Sequence, residues 1–217
     1  MTDGKVKRTP FHDFHVANKA KLVPFAGYEM PVQYPTGITK EHQIVRESVG
    51  VFDVSHMGEF EVTGPDRNAF VNRITCNDVS ALAEGQAQYS AFLTDDGTFI
   101  DDCLVYRFDD RIMLVVNASN IEKDWEHVVS KKKGINVRLK DISDEVALLA
   151  VQGPKSEELV APIAGVDVAG MKYYHFETGQ VAGVGGICRQ GIHHVDGDEP
   201  RRTGRPHPRH TCAPDPR

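Results

Sequence analysis

No stretch of this sequence approaches the roughly 18 uninterrupted apolar residues of a membrane-spanning helix, and no signal-peptide pattern opens it. There is one Trp, and the four cysteines (Cys76, Cys103, Cys188 and Cys212) lie far apart with no C-x-x-C pair. No Gly-rich segment precedes the Lys-Ser/Thr of a phosphate-binding loop; residues 183–186 lack both that pair and a βαβ setting. Basic runs are equally scarce. Lys131-Lys132-Lys133 is too short for a nucleic-acid surface and suits a helix C-terminus. These absences exclude a helical membrane protein, a zinc ribbon, a disulfide framework and P-loop chemistry. They lead us to expect a cytoplasmic chain with no metal and with neither nucleic acid nor membrane as partner.

What is present is a globular composition: 217 residues, 40% hydrophobic and 26% charged, with enough material for a real core. The net charge of −6 is unevenly spread. Residues 189–217 carry six Arg, no Lys and four acids, so the first 188 residues stand at −8 and the remainder at +2. The same short segment holds five of the 12 prolines and four of the ten histidines. After Val195 its only hydrophobic letters are Cys212 and Ala213, too few to offset the entropy of an ordered chain. The expected division is a folded body over 1–188 and a disordered Arg/Pro/His-rich tail over 189–217.

Within the body, helices alternate with β-hairpins. Phe11, Phe14, His15 and Leu22 suggest a short amphipathic helix that ends before Pro24. Ile38, Ile44, Val45 and Val49 suggest a second, stopped by Gly50. Phe60 and Val62 alternate with acids over 58–64, the pattern of a half-buried strand, and Pro65-Asp66 opens a helix bearing Phe70, Val71 and Ile74. Residues 89–94 and 98–108 flank Asp96-Gly97, a favourable hairpin turn, and Asp109-Asp110 turns the chain again into 112–116. Ser119 and Glu122 have capping-box spacing before a helix with Ile121, Trp125, Val128 and Val129 on one face, ended by Gly134. Strands at 135–140 and 145–151 and a helix at 155–163 complete the pattern. The fold class is α+β, mainly antiparallel sheets with packed helices.

Asp101 and Asp102 are the most informative pair. On a strand they point to opposite faces, Asp101 with Phe99, Cys103 and Val105, and Asp102 with Ile100, Leu104 and Tyr106. Both faces are otherwise largely apolar, so at least one carboxylate needs donors from protein or ligand. The plainer alternative is a strand-end aspartate satisfied by backbone amides. Cys103, mid-strand with no local base, is expected to be structural. His12 and His15 have helical spacing but no third ligand, and Ser55-His56 are adjacent residues that rarely face each other.

Longer strings extend the argument. Phe52-Asp53-Val54-Ser55-His56-Met57-Gly58, preceded by Pro24-Phe25-Ala26-Gly27-Tyr28-Glu29-Met30-Pro31, resembles the glycine cleavage system T protein family of aminomethyltransferases. Asn77-Asp78-Val79, Ile100-Asp101-Asp102, Leu114-Val115-Val116-Asn117-Ala118-Ser119 and Ala150-Val151-Gln152-Gly153-Pro154 follow in family order, so the resemblance covers roughly 8–186. It implies a folate-binding fold, tetrahydrofolate as co-substrate and the lipoylated H protein as partner. The implied reaction moves an aminomethyl carbon from the lipoyl arm to folate with release of ammonia. By family position Asp101 is then the catalytic carboxylate that orients the folate, with Met57, Tyr89 and Asn117 as pocket wall. Each of the three has a plainer alternative: core filler, half-buried strand aromatic and helix cap. One geometric difficulty attaches to this set. Ideal register around Asp96-Gly97 pairs Phe92 with Asp101 and puts Tyr89 on the opposite face, so a shared pocket requires a bulge.

The resemblance ends after Val181-Ala182-Gly183-Val184, where the family continues with a segment similar to R-T-G-Y-T-G-E-D-G-F-E. Here Gly191-Ile192-His193 stands instead, and GGN-ATH-CAY codons read one base later can encode Gly-Tyr-Thr. A reading-frame shift near residues 185–190, leaving a truncated and inactive product, is therefore an expectation. Two other classes compete with the enzyme. One is a non-enzymatic folate-binding relative assisting iron–sulfur protein maturation, whose K-G-C-Y motif is absent. The other is a non-functional fragment.

Overall fold

The computed structural model describes residues 6–190. Helix α1 (His12–Ala17) leads into the hairpin β1 (Lys21–Phe25) and β2 (Tyr28–Gln33), followed by α2 (Ile38–Glu47), β3 (Gly50–Asp53) and β4 (Gly58–Thr63). Helix α3 (Arg67–Ile74) precedes the meander β5 (Gln86–Leu93), β6 (Phe99–Arg107) and β7 (Arg111–Val116), and α4 (Ile121–Ser130) follows it. The described chain closes with β8 (Arg138–Asp141), β9 (Leu149–Gln152), α5 (Ser156–Val160) and the hairpin β10 (Phe176–Val181) and β11 (Val184–Arg189). The class is α+β, as the alternation implies.

A five-stranded sheet in the order β5-β6-β7-β4-β8, antiparallel throughout, forms the centre. The other strands pair in twos: β1 with β2, β3 with β9, β10 with β11. The two-residue period gives the central sheet two apolar faces. On one, Phe60, Val62, Val105 and Leu114 pack with Phe70, Val71 and Ile74 of α3 and with Val128 of α4. On the other, Ala87, Tyr106, Met113 and Val115 pack with Phe108 and Phe176, and Met57, Leu104 and Tyr174 sit against them. Strand β4 is thus buried on both faces rather than one. Even Glu59, expected to face solvent, is only 2% exposed.

Several boundaries differ from the sequence pattern for local reasons. The first helix does not reach Leu22: Lys19 adopts φ +58°, and Leu22 and Pro24 enter β1. Gly50 does not stop α2 but opens β3, since the helix already ends at Glu47. None of the apolar residues of α2 is buried among the described residues. The capping box is not formed either, because a single 3-10 turn over Ala118–Asn120 precedes α4 and the cap residue is Asn120, with no side-chain bond. Of the predicted helix face, Ile121, Trp125 and Val128 pack on the core while Val129 is exposed. The tail expected over 189–217 lies outside the described residues except for Arg189, which ends β11, and Gln190, whose N–H bonds the His175 carbonyl.

Gly153 has φ +119° after β9, and a Cβ there would meet the carbonyls of Val45 and Ser48 at the end of α2. Both neighbours are backbone and cannot rotate away. Gly153→Ala is expected to cost about 1–3 kcal/mol, read as a lowered midpoint in urea unfolding. An unchanged midpoint would show that this approach can relax.

Candidate functional site

Strand β6 lies between β5 and β7, so its register on both sides decides what meets its two aspartates. Phe92 pairs with Asp101, Ala91 with Asp102 and Tyr89 with Leu104. The one irregularity on the β5 side falls between Phe92 and Leu93, on the turn side of these pairs, and leaves them on their ideal faces. Tyr89 therefore shares a face with Asp102 and Leu104, and reaches Asp102 diagonally across the ladder. Its hydroxyl donates to Asp102 Oδ2 at 2.5 Å. On the other edge β7 ends at Val116 opposite Cys103, which leaves Asn117 free to turn beside the double aspartate. Asn117 Nδ2 donates to Asp102 Oδ1 at 2.6 Å and sits 3.2 and 3.3 Å from the two oxygens of Asp101.

A cleft of about 200 Å³ opens over this face. Its walls include Met57, Leu104 and Val115 as apolar surface, Tyr89 and Tyr174 as aromatic surface, and Asp102, Asn117 and Arg189 as polar groups. The Arg189 guanidinium lies 5.7 Å from the ring centres of both Tyr106 and Tyr174. Met57 arrives from the turn before β4, held by its N–H on the Val54 carbonyl.

Of the four residues predicted from the sequence, the structure brings Met57, Tyr89 and Asn117 to one cleft. The carboxylate that lines the cleft with them is Asp102. Asp101 belongs to the opposite sheet face, is 7% exposed and lies under α4 beside Asp124. No bulge intervenes to bring it across. The signal in the sequence is the hairpin register, which sets Tyr89 and Asp101 on opposite faces. Tyr174, Arg189 and Asp124 had no sequence signal that pointed to this place. Asn117 does stand at the N-cap position of the 3-10 turn, but its side chain makes no capping bond; its amide is spent on the carboxylates.

Each oxygen of Asp102 thus accepts one neutral donor. A carboxylate has about four lone-pair directions, so acceptor capacity remains on the cleft side. The bond to Asp102 pushes the Tyr89 phenol up to about 12, because deprotonating it would set two anions face to face. Behind the sheet, burial and then the neighbouring Asp101 push Asp124 up to about 8. Glu59, beside Val115 in register, is likewise pushed up to about 8 by burial and by Asp141.

The other candidates serve structure. Cys103 is buried, with its thiol pushed well up by burial. His15 donates from Nε2 to Asp53 at 2.9 Å and bonds the Tyr34 hydroxyl through Nδ1 at 2.7 Å, while His12 faces Glu29 at 2.7 Å. The two rings do not converge, and among the described residues no group of three metal-ligating side chains gathers. Burial opposes ionisation of Asp53, but donors from Thr9, His15 and Ser55 outweigh it and hold its carboxyl below the usual range. Ser55 Oγ is engaged by the backbone of Leu148 and is no nucleophile for His56.

Residues 11–190 match the family profile described as the GCVT N-terminal domain. The chain belongs to that family. GCVT relatives named aminomethyltransferase include those of Chloroherpeton thalassium, 51% identical over 179 residues, and of Thermotoga neapolitana, 46% identical over 179 residues. Each match covers 82% of this chain and 49% of the relative, so the chain spans about half the length of the curated relatives it matches. A crystal structure of glycine cleavage system aminomethyltransferase T from Bartonella henselae is similar with a TM-score of 0.76 and 32% identity, over 81% of this chain and 48% of that one. A heterotetrameric sarcosine oxidase from Corynebacterium sp. U-96 shares the fold alone, at 12% identity and a TM-score of 0.55, over 83% of this chain and 80% of that one. The GCVT profile takes in both aspartates of β6, so the choice between them rests on the register.

The geometry of the GCVT cleft makes Tyr89 a reporter for Asp102. Its phenol should titrate near 12 in the wild type and fall towards the ordinary tyrosine value in Asp102→Asn, followed by tyrosinate absorbance. The same value in both proteins would contradict the bond.

Proposed function

We propose that this chain is the folate-binding N-terminal region of a glycine cleavage system aminomethyltransferase, and that its cleft takes the pterin ring of tetrahydrofolate. The observation that carries the proposal is the Asp102 carboxylate, pinned by Tyr89 and Asn117 with lone pairs left towards the cleft. A pterin presents a ring N–H beside an exocyclic amine, two parallel donors that one carboxylate accepts together. The surrounding wall fits a flat ring. Met57, Leu104 and Val115 supply apolar contact, and Tyr174 an aromatic face. At about 200 Å³ the space falls below the ~300–1,000 Å³ of whole-ligand pockets. It therefore suits the ring, with the anionic end of folate lying outside.

Bound there, tetrahydrofolate would supply two secondary amines that replace the carbon's bonds to the lipoyl sulfur and to nitrogen; methylenetetrahydrofolate forms, and the two amine protons leave with the dihydrolipoyl thiol and ammonia. This chain's residues bind and orient. Asp102 fixes the ring in its plane, Asn117 and Tyr89 fix Asp102, and the apolar wall packs against the ring. Positioning of this kind replaces a bimolecular encounter by a held geometry. We assign no covalent intermediate to the protein. The proposed folate-binding region, drawn at 1–188 from composition, extends to Arg189, which ends β11 and lines the cleft.

The relatives' names support the transferase reading, whereas the iron–sulfur assembly alternative finds no support among the comparisons. No helix of the described residues is long and apolar enough to cross a membrane. A cytoplasmic setting, with lipoylated H protein as partner, belongs to the same proposal.

Excess tetrahydrofolate should raise the melting temperature of this chain, because a ligand of the folded state must do so. Asp102→Asn should weaken binding roughly 10- to 100-fold, the worth of about 1.5–3 kcal/mol for a hydrogen bond to a charged group. An unshifted melting temperature in the wild type would favour the non-functional-fragment reading. An equal shift in wild type and variant would remove Asp102 from the site.

A further inference from the structure

Behind the cleft lies a group that the proposed chemistry does not use. Asp124 and Val128, one helical turn apart on α4, are the two buried residues of that helix. Asp124 is 0% exposed, and among the described residues no N–H or O–H donor reaches either of its oxygens. A buried carboxylate without a donor is one of the costliest arrangements a fold can contain. Its near partner is another acid, the buried carboxyl of Asp101. Two carboxyls in contact satisfy each other only when one carries a proton and donates it to the other.

The charged and titratable groups around Asp124 do not offer a substitute. From β6 come Asp101, Asp102 and the Cys103 thiol, with the Cys76 thiol behind Cys103. From α4 itself comes Lys123, whose ammonium is exposed and bonded to the Ile100 carbonyl at 3.0 Å. Asn117 then links the two acids to the cleft. Its amide has two hydrogens, and the geometry directs one to Asp102 at 2.6 Å and the other to the Asp101 carboxyl at 3.2–3.3 Å.

We propose that Asp101 and Asp124 share one proton and that this acid pair, acting through Asn117, is the positioning element that holds Asp102 in the cleft. With the proton in place Asp101 is tethered to α4 and presents an acceptor to Asn117, so the amide cannot rotate away from Asp102. With the proton lost, two buried like charges repel. Asp101 is then driven towards the amide, and Asp102 loses its fixed donor. Asp124 is thus a positioning residue; it touches no ligand. The role of Asp102 rests on the folate reading above, but the shared proton and its coupling to Asn117 do not.

The titration has a definite sign. The Asp124 carboxyl is raised to about 8 in the fold, above the ordinary 3.8 of the unfolded chain. Between those values the folded state binds the extra proton, so stability falls as pH rises, and the cost is complete above about 8.

The test follows the Asn117 side-chain amide by 15N NMR between about pH 6 and pH 9, alongside the melting temperature. The wild-type amide signals should move through one step centred near 8, while the melting temperature declines up to about that pH and levels off above it. Asp124→Asn keeps a donor to Asp101 but cannot titrate, so it should show no step and a flatter decline. Asp101→Asn, which removes the anion that holds Asp124 protonated, should move the step to lower pH and serves if the first variant does not fold. A wild-type amide that does not move, or a step that survives Asp124→Asn, would overturn the proposal. Tetrahydrofolate affinity, measured at both ends of the range, separates the two claims. Wild-type binding should weaken several-fold at high pH and that of Asp124→Asn should not; pH-independent binding in both would deny the link to Asp102. If no protein binds folate at any pH, the function fails while the amide result still decides the acid pair.

Discussion

The antiparallel ladder that joins β6 to β5 and β7 fixes, residue by residue, which side chains meet over the cleft. Both edges of β6 are paired, so a slip of one residue would exchange Asp101 and Asp102 between the faces and take Leu104 and Tyr106 with them. The apolar faces prevent that slip. Val105 and Cys103 are committed to the helix-covered side, and Tyr106 to the side closed by Phe176. Packing of the core therefore sets the chemistry of the strand end. Asp102 reaches the cleft because its neighbours two and four residues along belong on that side.

The same ladder creates an electrostatic problem at the strand end. Three carboxyls, Asp101, Asp102 and Asp124, crowd together there, two of them on one neutral amide, and Lys123 of α4 points away to a carbonyl. Neutral donors from Tyr89 and Asn117 can support one full negative charge in that space. The remaining acids are tolerable only with a proton between them. Burial of the acid pair and exposure of the cleft carboxylate are thus two sides of one arrangement: the charge kept accessible is the one a ligand can use.

Much of this was legible in the letters. Alternation placed β4, β5, β6 and β7, and Asp96-Gly97 placed the hairpin turn, with Gly97 at φ +80°. Ordered strings carried the family and three of the cleft residues. The choice between adjacent aspartates was harder: family position pointed to Asp101, whereas the register puts Asp102 on the cleft face. Tyr89 held the answer through its cross-strand neighbours. Tyr174 and Arg189 were not legible, since their approach depends on β10 and β11 folding back over the sheet. Asp124 was hidden by its setting: an acid in the first turn of a helix ordinarily faces water and favours the helix dipole. Leu22 and the capping box failed for local reasons, one positive-φ lysine and one 3-10 turn, which no periodicity encodes.

The central claim is that Asp102, rather than Asp101, accepts the paired donors of a pterin. A thermodynamic cycle tests it most directly, comparing tetrahydrofolate with an analogue lacking the exocyclic amine on wild type, Asp102→Asn and Asp101→Asn. The account predicts that loss of the amine weakens binding to wild type and to Asp101→Asn but scarcely affects Asp102→Asn. An equal loss in Asp102→Asn, or an insensitivity confined to Asp101→Asn, would contradict it.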